Sequence, residues 1–208
     1  MNAKIRVLVA DDHAVARVGV TTIVNAQRDM TVVATASSGL EAMDLYRKHL
    51  PDVALLDMRM PAMSGIEASI AIRRDFPDAR LIALTTYGGD VDIRRALEAG
   101  VKSYLTKDLE QDQVLKAIRA VHAGEEYFMP SLLPLLQSKE QRVELTAREM
   151  QVLELIVRGL LNKQIAYALN VAQFTVANHV AKILKKLGVQ DRTQAATQAI
   201  RRGIIHLP

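Results

Sequence analysis

Five side chains carry the chemistry this sequence offers most plainly: Asp11, Asp12, Asp57, Thr85 and Lys107. Three carboxylates drawn into one place repel one another, and without a cation at least one of them tends to hold a proton. A divalent ion resolves the conflict. Hard oxygen donors suit Mg²⁺, which takes one or two carboxylates, keeps several waters and accepts a phosphate oxygen. That leaves a carboxylate free as a nucleophile, and Asp57 fits the role, because a carboxylate attacks phosphorus once a metal ion and an ammonium neutralise the transferring oxygens. Lys107 supplies the ammonium. The Thr85 hydroxyl is suited to hydrogen-bond the resulting acyl phosphate, which adds about −1.5 to −2 charge. Taken singly, each residue has a plainer role, since aspartates at strand ends cap helices and a lone lysine pairs with a carboxylate. Their convergence on one spot favours the chemical reading.

That convergence depends on the elements beneath it. Ile5 to Ala10, Thr31 to Ala36, Val53 to Leu56, Leu81 to Leu84 and Ser103 to Leu105 are short β-branched or apolar runs, and several are apolar throughout, as strands buried on both faces must be. Between them, residues such as Ala42, Leu45 and Tyr46, or Val114, Ala117, Ile118 and Val121, recur at helical spacing. Five βα repeats predict a doubly wound parallel sheet whose ligand site lies beyond the carboxyl ends of its central strands. Asp11 and Asp12 follow the first strand, Asp57 ends the third, Thr85 ends the fourth and Lys107 follows the fifth. Tyr104 lies on the opposite strand parity to Ser103 and Leu105, so its ring is expected to report movement of the Thr85 loop.

Bulk properties set the frame. A chain of 208 residues, 50% hydrophobic and 24% charged, suits two small soluble domains. The absence of cysteine excludes a disulfide framework and thiolate metal sites. Carboxylates interrupt the N-terminus too early for a signal peptide, and no apolar run is long enough to span a membrane, so a cytoplasmic protein without membrane contact is expected. Residues 143–208 hold nine Lys or Arg against four Asp or Glu, and the whole chain carries +4, which leaves −1 for residues 1–142. Charge alone fits a polyanion-binding tail and a solvated basic face equally well. Residues 1–122 form the expected first domain and residues 123–142, with two prolines, a linker containing a short helix between Ser131 and Gln137. Residues 143–208 form an all-helical domain. Thr146 and Glu149 mark a capping box, and further helices are expected over Asn162 to Leu169, Gln173 to Leu187 and Thr193 to Arg202.

The segments VLVADDH, ALLDMRMPAMSGIEA, ALTTY and SYLTKD, in that order and spacing, resemble the receiver domain of response regulators. The resemblance implies a flavodoxin-like five-stranded domain that takes a phosphoryl group on Asp57 from the histidine of a sensor kinase, with Mg²⁺. Asp11, Asp12, Asp57 and the main-chain carbonyl of Arg59 are the implied ligands, and Thr85, Lys107 and Tyr104 the stabilising and switch residues. Asp108 follows Lys107 where many receivers place proline. An aspartyl-nucleophile phosphatase would need an acid–base carboxylate two residues after Asp57, and Arg59 stands there.

LTARE, NKQIA, TV..HV..IL.KLGV and DRTQAA resemble the LuxR-type (NarL/FixJ) four-helix, helix-turn-helix domain. By this resemblance Gln173 to Leu187 is the recognition helix, the last helix makes a dimer contact, and a phosphorylated homodimer binds double-stranded DNA. Thr175, Asn178, Lys182, Lys185 and Lys186 are the candidate DNA contacts: lysines meet phosphates, and an asparagine amide pairs bidentately with adenine. This chain departs from the family in Phe174, Ala177 and Ala181, where basic residues are common. Ala172 stands at the helix start in place of a capping serine, and Asn170 stands where glycine is usual in the turn. The alanines keep open a regulator that acts mainly through protein contacts.

Overall fold

The computed structural model describes residues 3–86, 89–107, 110–130, 132 and 145–205. The chain divides into two compact units, Met1–Gly88 with Ile93–Gln137 and Gly89–Asp92 with Ser138–Pro208.

In the first unit six parallel strands run in the order β2-β1-β3-β4-β5-β6. They are β1 Ile5–Ala10, β2 Met30–Ala36, β3 Val53–Asp57, β4 Leu81–Thr85, β5 Ser103–Thr106 and β6 Tyr127–Phe128. The helices that alternate with them are α1 Ala14–Asn25, α2 Gly39–His49, α3 Gly65–Asp75, α4 Asp90–Glu98 and α5 Gln111–His122. Side chains alternate across each strand, and the alternation sorts the core into two layers. Leu8, Ala54, Leu56, Leu81, Ala83 and Tyr104 cluster with Ala42 and Tyr46 of α2, Ile72 of α3 and Ile93 of α4. Val7, Val9, Val53, Leu55, Ile82, Leu84 and Leu105 cluster with Val24 of α1 and Val114, Leu115 and Ile118 of α5. Every residue of β3 and β4 is buried, which is why both strands read as unbroken apolar runs.

The expected five strands are all present, each one residue longer at one end except β1. A sixth, β6, joins them within the span expected to be linker. The Tyr127 amide donates to the Lys102 carbonyl (3.1 Å), and Phe128 sits opposite Tyr104 in the ladder. A two-residue strand shows no periodicity, so only its aromatic composition could have signalled it. The expected helix between Ser131 and Gln137 lies outside the described residues, Leu132 apart, and Asp108 does as well.

The second unit is helical: α6 Ala147–Val157, α7 Asn162–Ala168, α8 Gln173–Leu187 and α9 Arg192–Arg201. Its core joins Val152, Leu153 and Ile156 to Ile165, Val176, Ile183, Leu187, Ala195 and Ala199. The Thr146–Glu149 capping box forms as expected. Asp191 accepts the Gln194 amide (2.8 Å) and so starts α9 at Arg192, one residue before the expected start. Asn170 adopts φ 51° in the turn between α7 and α8, a left-handed conformation that asparagine tolerates.

Candidate functional site

Chain geometry at the carboxyl edge of the sheet gathers the expected residues of the first unit. Asp11 is the residue after β1, and its amide donates to the Ala36 carbonyl at the end of β2 (3.1 Å). Asp57 is the last residue of β3, locked on both sides as the Met58 amide donates to Leu84 (3.1 Å) and the Gly65 amide to Met58 (3.2 Å). Gly65 opens α3 hard against this point, and a Cβ there would be driven into the Asp57 carbonyl. Thr85 is buried at the end of β4, and its carbonyl accepts the Lys107 amide (2.7 Å), which fixes the root of the lysine.

The lysine then closes the pocket. Its Nζ lies 2.7 Å from Asp57 Oδ2 and 2.8 Å from Asp11 Oδ2, and those two residues are 2% and 0% exposed. One ammonium therefore serves two buried carboxylates, which leaves negative charge in excess. The second oxygens are held by main-chain amides: Arg59 donates to Asp57 Oδ1 (3.0 Å) and His13 to Asp11 Oδ1 (2.9 Å). Burial pushes the Asp57 carboxyl above its ordinary range, against the pull of the Lys107 ammonium and the Arg59 amide. Burial alone would lower Lys107, but its bonds to Asp11 and Asp57 outweigh that and hold it above its ordinary range, firmly protonated. Ligand atoms of Asp11, Asp12, His13 and Asp57 all lie within 4.8 Å of one another. Three carboxylates around an excess of negative charge form a hard-oxygen set that fits a divalent ion such as Mg²⁺.

Sequence reasoning did not include His13, whose Nδ1 lies 2.7 Å from Asp12 Oδ1; its signal was its place directly after the aspartate pair. Tyr104 is fully buried in the core layer that also holds Ala83 and Ile93.

In the second unit, one side of α8 enters the core through Val176, Ile183 and Leu187, and the other side is exposed at Phe174, Ala177, Asn178, Ala181, Lys182 and Lys185. Thr175 is half-buried. Lys186 is exposed as well but has an acidic partner. Its Nζ sits 2.6 Å from Oε2 of the buried Glu149, because it lies roughly 100° around the helix from Lys185, on the flank next to the core. Burial works to raise the Glu149 carboxyl, but Lys186 and the Thr146 amide and hydroxyl prevail and hold it below the usual range. Ala172 caps α8 with no side-chain hydrogen bond.

Comparison with known proteins decides the family. Residues 7–119 match the response regulator receiver domain, and residues 143–199 match the bacterial regulatory proteins of the luxR family. The chain is a LuxR-family response regulator. It is 34% identical to the transcriptional regulatory protein LnrK of Bacillus subtilis, over 96% of this chain and 98% of that protein. It is 38% identical to the response regulator protein VraR of Staphylococcus aureus, over 97% and 99%. The crystal structure of response regulator ChrA, from a heme-sensing two-component system, is similar with a TM-score of 0.59 at 34% identity, covering 98% of the regulator and 100% of that chain. This family comprises transcription regulators, not enzymes, so the phosphatase alternative falls away. Among the described residues no helix is long and apolar enough to cross a membrane.

Proposed function

We propose that the regulator is switched by phosphoryl transfer from a sensor histidine kinase to Asp57 and, once phosphorylated, acts as a cytoplasmic homodimer on double-stranded DNA. The single ammonium shared by two buried carboxylates carries this reading. Transfer forms an oxygen–phosphorus bond at the Asp57 carboxylate as the bond from phosphorus to the donor histidine breaks. Lys107, already poised at Asp57, meets the charge on the transferring oxygens, and the Thr85 hydroxyl offers a hydrogen bond to the new phosphoryl group. Asp11 and Asp12, with the Asp57 carboxylate and the Arg59 carbonyl, would hold Mg²⁺, which supplies charge neutralisation at the phosphoryl oxygens when bound. The added charge competes with Asp11 for Lys107, and Lys107 is bonded through its amide to Thr85, so the β4 and β5 ends respond together. Tyr104, two strand positions before the Thr106–Thr85 pair, reads that response from within the core.

Support for the output comes from the luxR-family match and from the similarity to LnrK, a transcriptional regulatory protein. Asn178, Lys182 and Lys185 are exposed on one face of α8, with half-buried Thr175 at its edge, and the basic surplus of residues 143–208 suits a polyanion. The test is labelling by a small acyl phosphate donor with Mg²⁺: the parent is expected to label and Asp57→Asn to remain blank. A fully labelled Asp57→Asn chain would overturn the assignment.

A further inference from the structure

The outward face of α8 is apolar at its start and basic at its end. Phe174 is 76% exposed at the second position of the helix, Ala177, Asn178 and Ala181 are exposed after it, and Lys182 and Lys185 follow. At 100° per residue, Phe174, Ala181 and Lys185 fall within about 40° of a single line along the helix, with Asn178 beside it. The core-facing side is fully committed through Val176, Ile183 and Leu187. Neither Lys182 nor Lys185 has an acidic partner among the described residues, whereas Lys186 has one in Glu149.

We propose that this face reads the 5-methyl groups of thymine in the major groove, with Phe174, Ala177 and Ala181 packing on methyls while Lys182 and Lys185 hold phosphates. The inference rests on the DNA-binding reading of α8 given above and adds what that helix selects. The thymine methyl is the apolar group that the major groove displays, and alanine and phenylalanine are side chains that can pack on it. The span fits as well, because Phe174 to Ala181 covers roughly 10 Å of helix, about the rise of three base pairs. Asn178 sharpens the choice. Its amide pairs bidentately with adenine, so an A·T pair offers an edge for the asparagine and a methyl for the apolar side chains in the same step. A protein partner could cover Phe174, but an apolar partner surface gives Lys182 and Lys185 nothing to neutralise. A polyanion meets both ends of the face at once.

The experiment uses the full chain, treated with an acyl phosphate donor, and selects bound duplexes from a random pool. The expected product is a site with a short A·T run. Replacing thymine by deoxyuridine within that run removes only methyl groups, and it should weaken binding by about four-fold for each methyl contacted, the equivalent of one buried carbon unit. Phe174→Ala should discriminate thymine from uracil less than the parent by about four-fold, the share of one methyl contact, and because the ring is exposed the variant should keep the parent's circular dichroism. Lys185→Ala should weaken both probes by the same factor, with a salt slope shallower by about one. Equal affinity of the parent for thymine and uracil probes, or a selected run of G·C pairs, would overturn the proposal. Salt-sensitive retention without any enriched sequence would also overturn it while leaving the DNA-binding reading intact. No retention even at low salt would remove that reading and the inference with it.

Discussion

Lys107→Met isolates the electrostatics of the carboxylate pocket. Methionine retains an unbranched stem but no charge, so Asp11 and Asp57, 0% and 2% exposed, lose the ammonium that lies within 2.8 Å of both. Removing one partner from a buried ion pair costs about 3–5 kcal/mol, mostly because the other charge stays buried without compensation. Here two carboxylates are stranded, but the lysine side chain is 13% exposed and its own desolvation is recovered on removal. The expected loss for the first unit is therefore near the lower end of that range, about 3 kcal/mol in the absence of divalent cations. Mg²⁺ should reverse the defect. A ligand at a hundred times its dissociation constant stabilises the folded state by about 2.7 kcal/mol, and in the variant it meets three carboxylates with no internal cation competing for them. The parent, whose Lys107 already neutralises part of the site, should gain less. Native-state hydrogen exchange of β1 and β3 amides reports this unit separately from the helical one. Exchange should be faster in the variant without Mg²⁺ and approach the parent rate with it. Labelling by an acyl phosphate donor should be lost under both conditions, because no ammonium faces the transferring oxygens. Equal protection of parent and variant without cation, or an identical response to Mg²⁺, would refute the reasoning.

Gly65→Ala forces a Cβ into the Asp57 carbonyl, so the start of α3 must shift. Overpacking of this kind costs about 1–3 kcal/mol, and the expected signature is slower labelling at Asp57 together with faster exchange at the Met58 and Gly65 amides. Ala172→Ser supplies the missing cap of α8, where the backbone is already extended (φ −69°, ψ 146°). It should stabilise the helical unit by about 1 kcal/mol, seen as a higher midpoint in thermal unfolding followed by circular dichroism. Glu149→Gln replaces a charge-assisted bond to Lys186 by a neutral one, and with Lys186 36% exposed the loss should be about 1.5 kcal/mol at neutral pH. The Glu149 carboxyl is held below the ordinary glutamate value of 4.5 in the fold, so its contribution is present above that value and disappears as pH falls through the lowered one. The parent's helical unit should therefore lose stability on acidification to the extent of that contribution, and the Gln variant should show a flatter profile; parallel profiles would count against the pairing.

In the first unit the site was legible because topology does the gathering. Asp11, Asp57, Thr85 and Lys107 all sit at carboxyl ends of parallel strands, and a doubly wound sheet delivers such positions to one edge whatever the loops do. Strand parity likewise set Tyr104 on the face opposite Leu105, and the two side chains lie in different core layers. What the pattern could not show was the sharing of Lys107 between two carboxylates, since that depends on the length of one side chain and the closeness of two strands. Nor could it show β6, whose two residues pair with Ser103 and Tyr104 at the edge of the sheet. His13 joins the acidic cluster through its position after β1, a position that sequence alone could equally assign to the start of α1.

The helical unit shows the limit from the opposite side. Periodicity separated the core residues of α8 from the exposed ones, and Val176, Ile183 and Leu187 on one side with Asn178, Lys182 and Lys185 on the other stand as the spacing requires. It says less about the flank. Residues at the boundary between two faces are assigned by what happens to stand opposite, and Lys186 stands opposite Glu149, 37 residues away in sequence. No local pattern carries that distance. Glu149 itself had been legible as the partner of Thr146 in a capping box, and the structure gives the same carboxylate a second bond, to Lys186. The lysine thus has a partner within the fold, which Lys182 and Lys185 lack among the described residues. Of the three lysines near the end of that helix, Lys182 and Lys185 are the ones proposed to carry the electrostatic contribution to DNA affinity, and on that proposal Lys186→Ala should change the stability of the helical unit more than the salt dependence of binding.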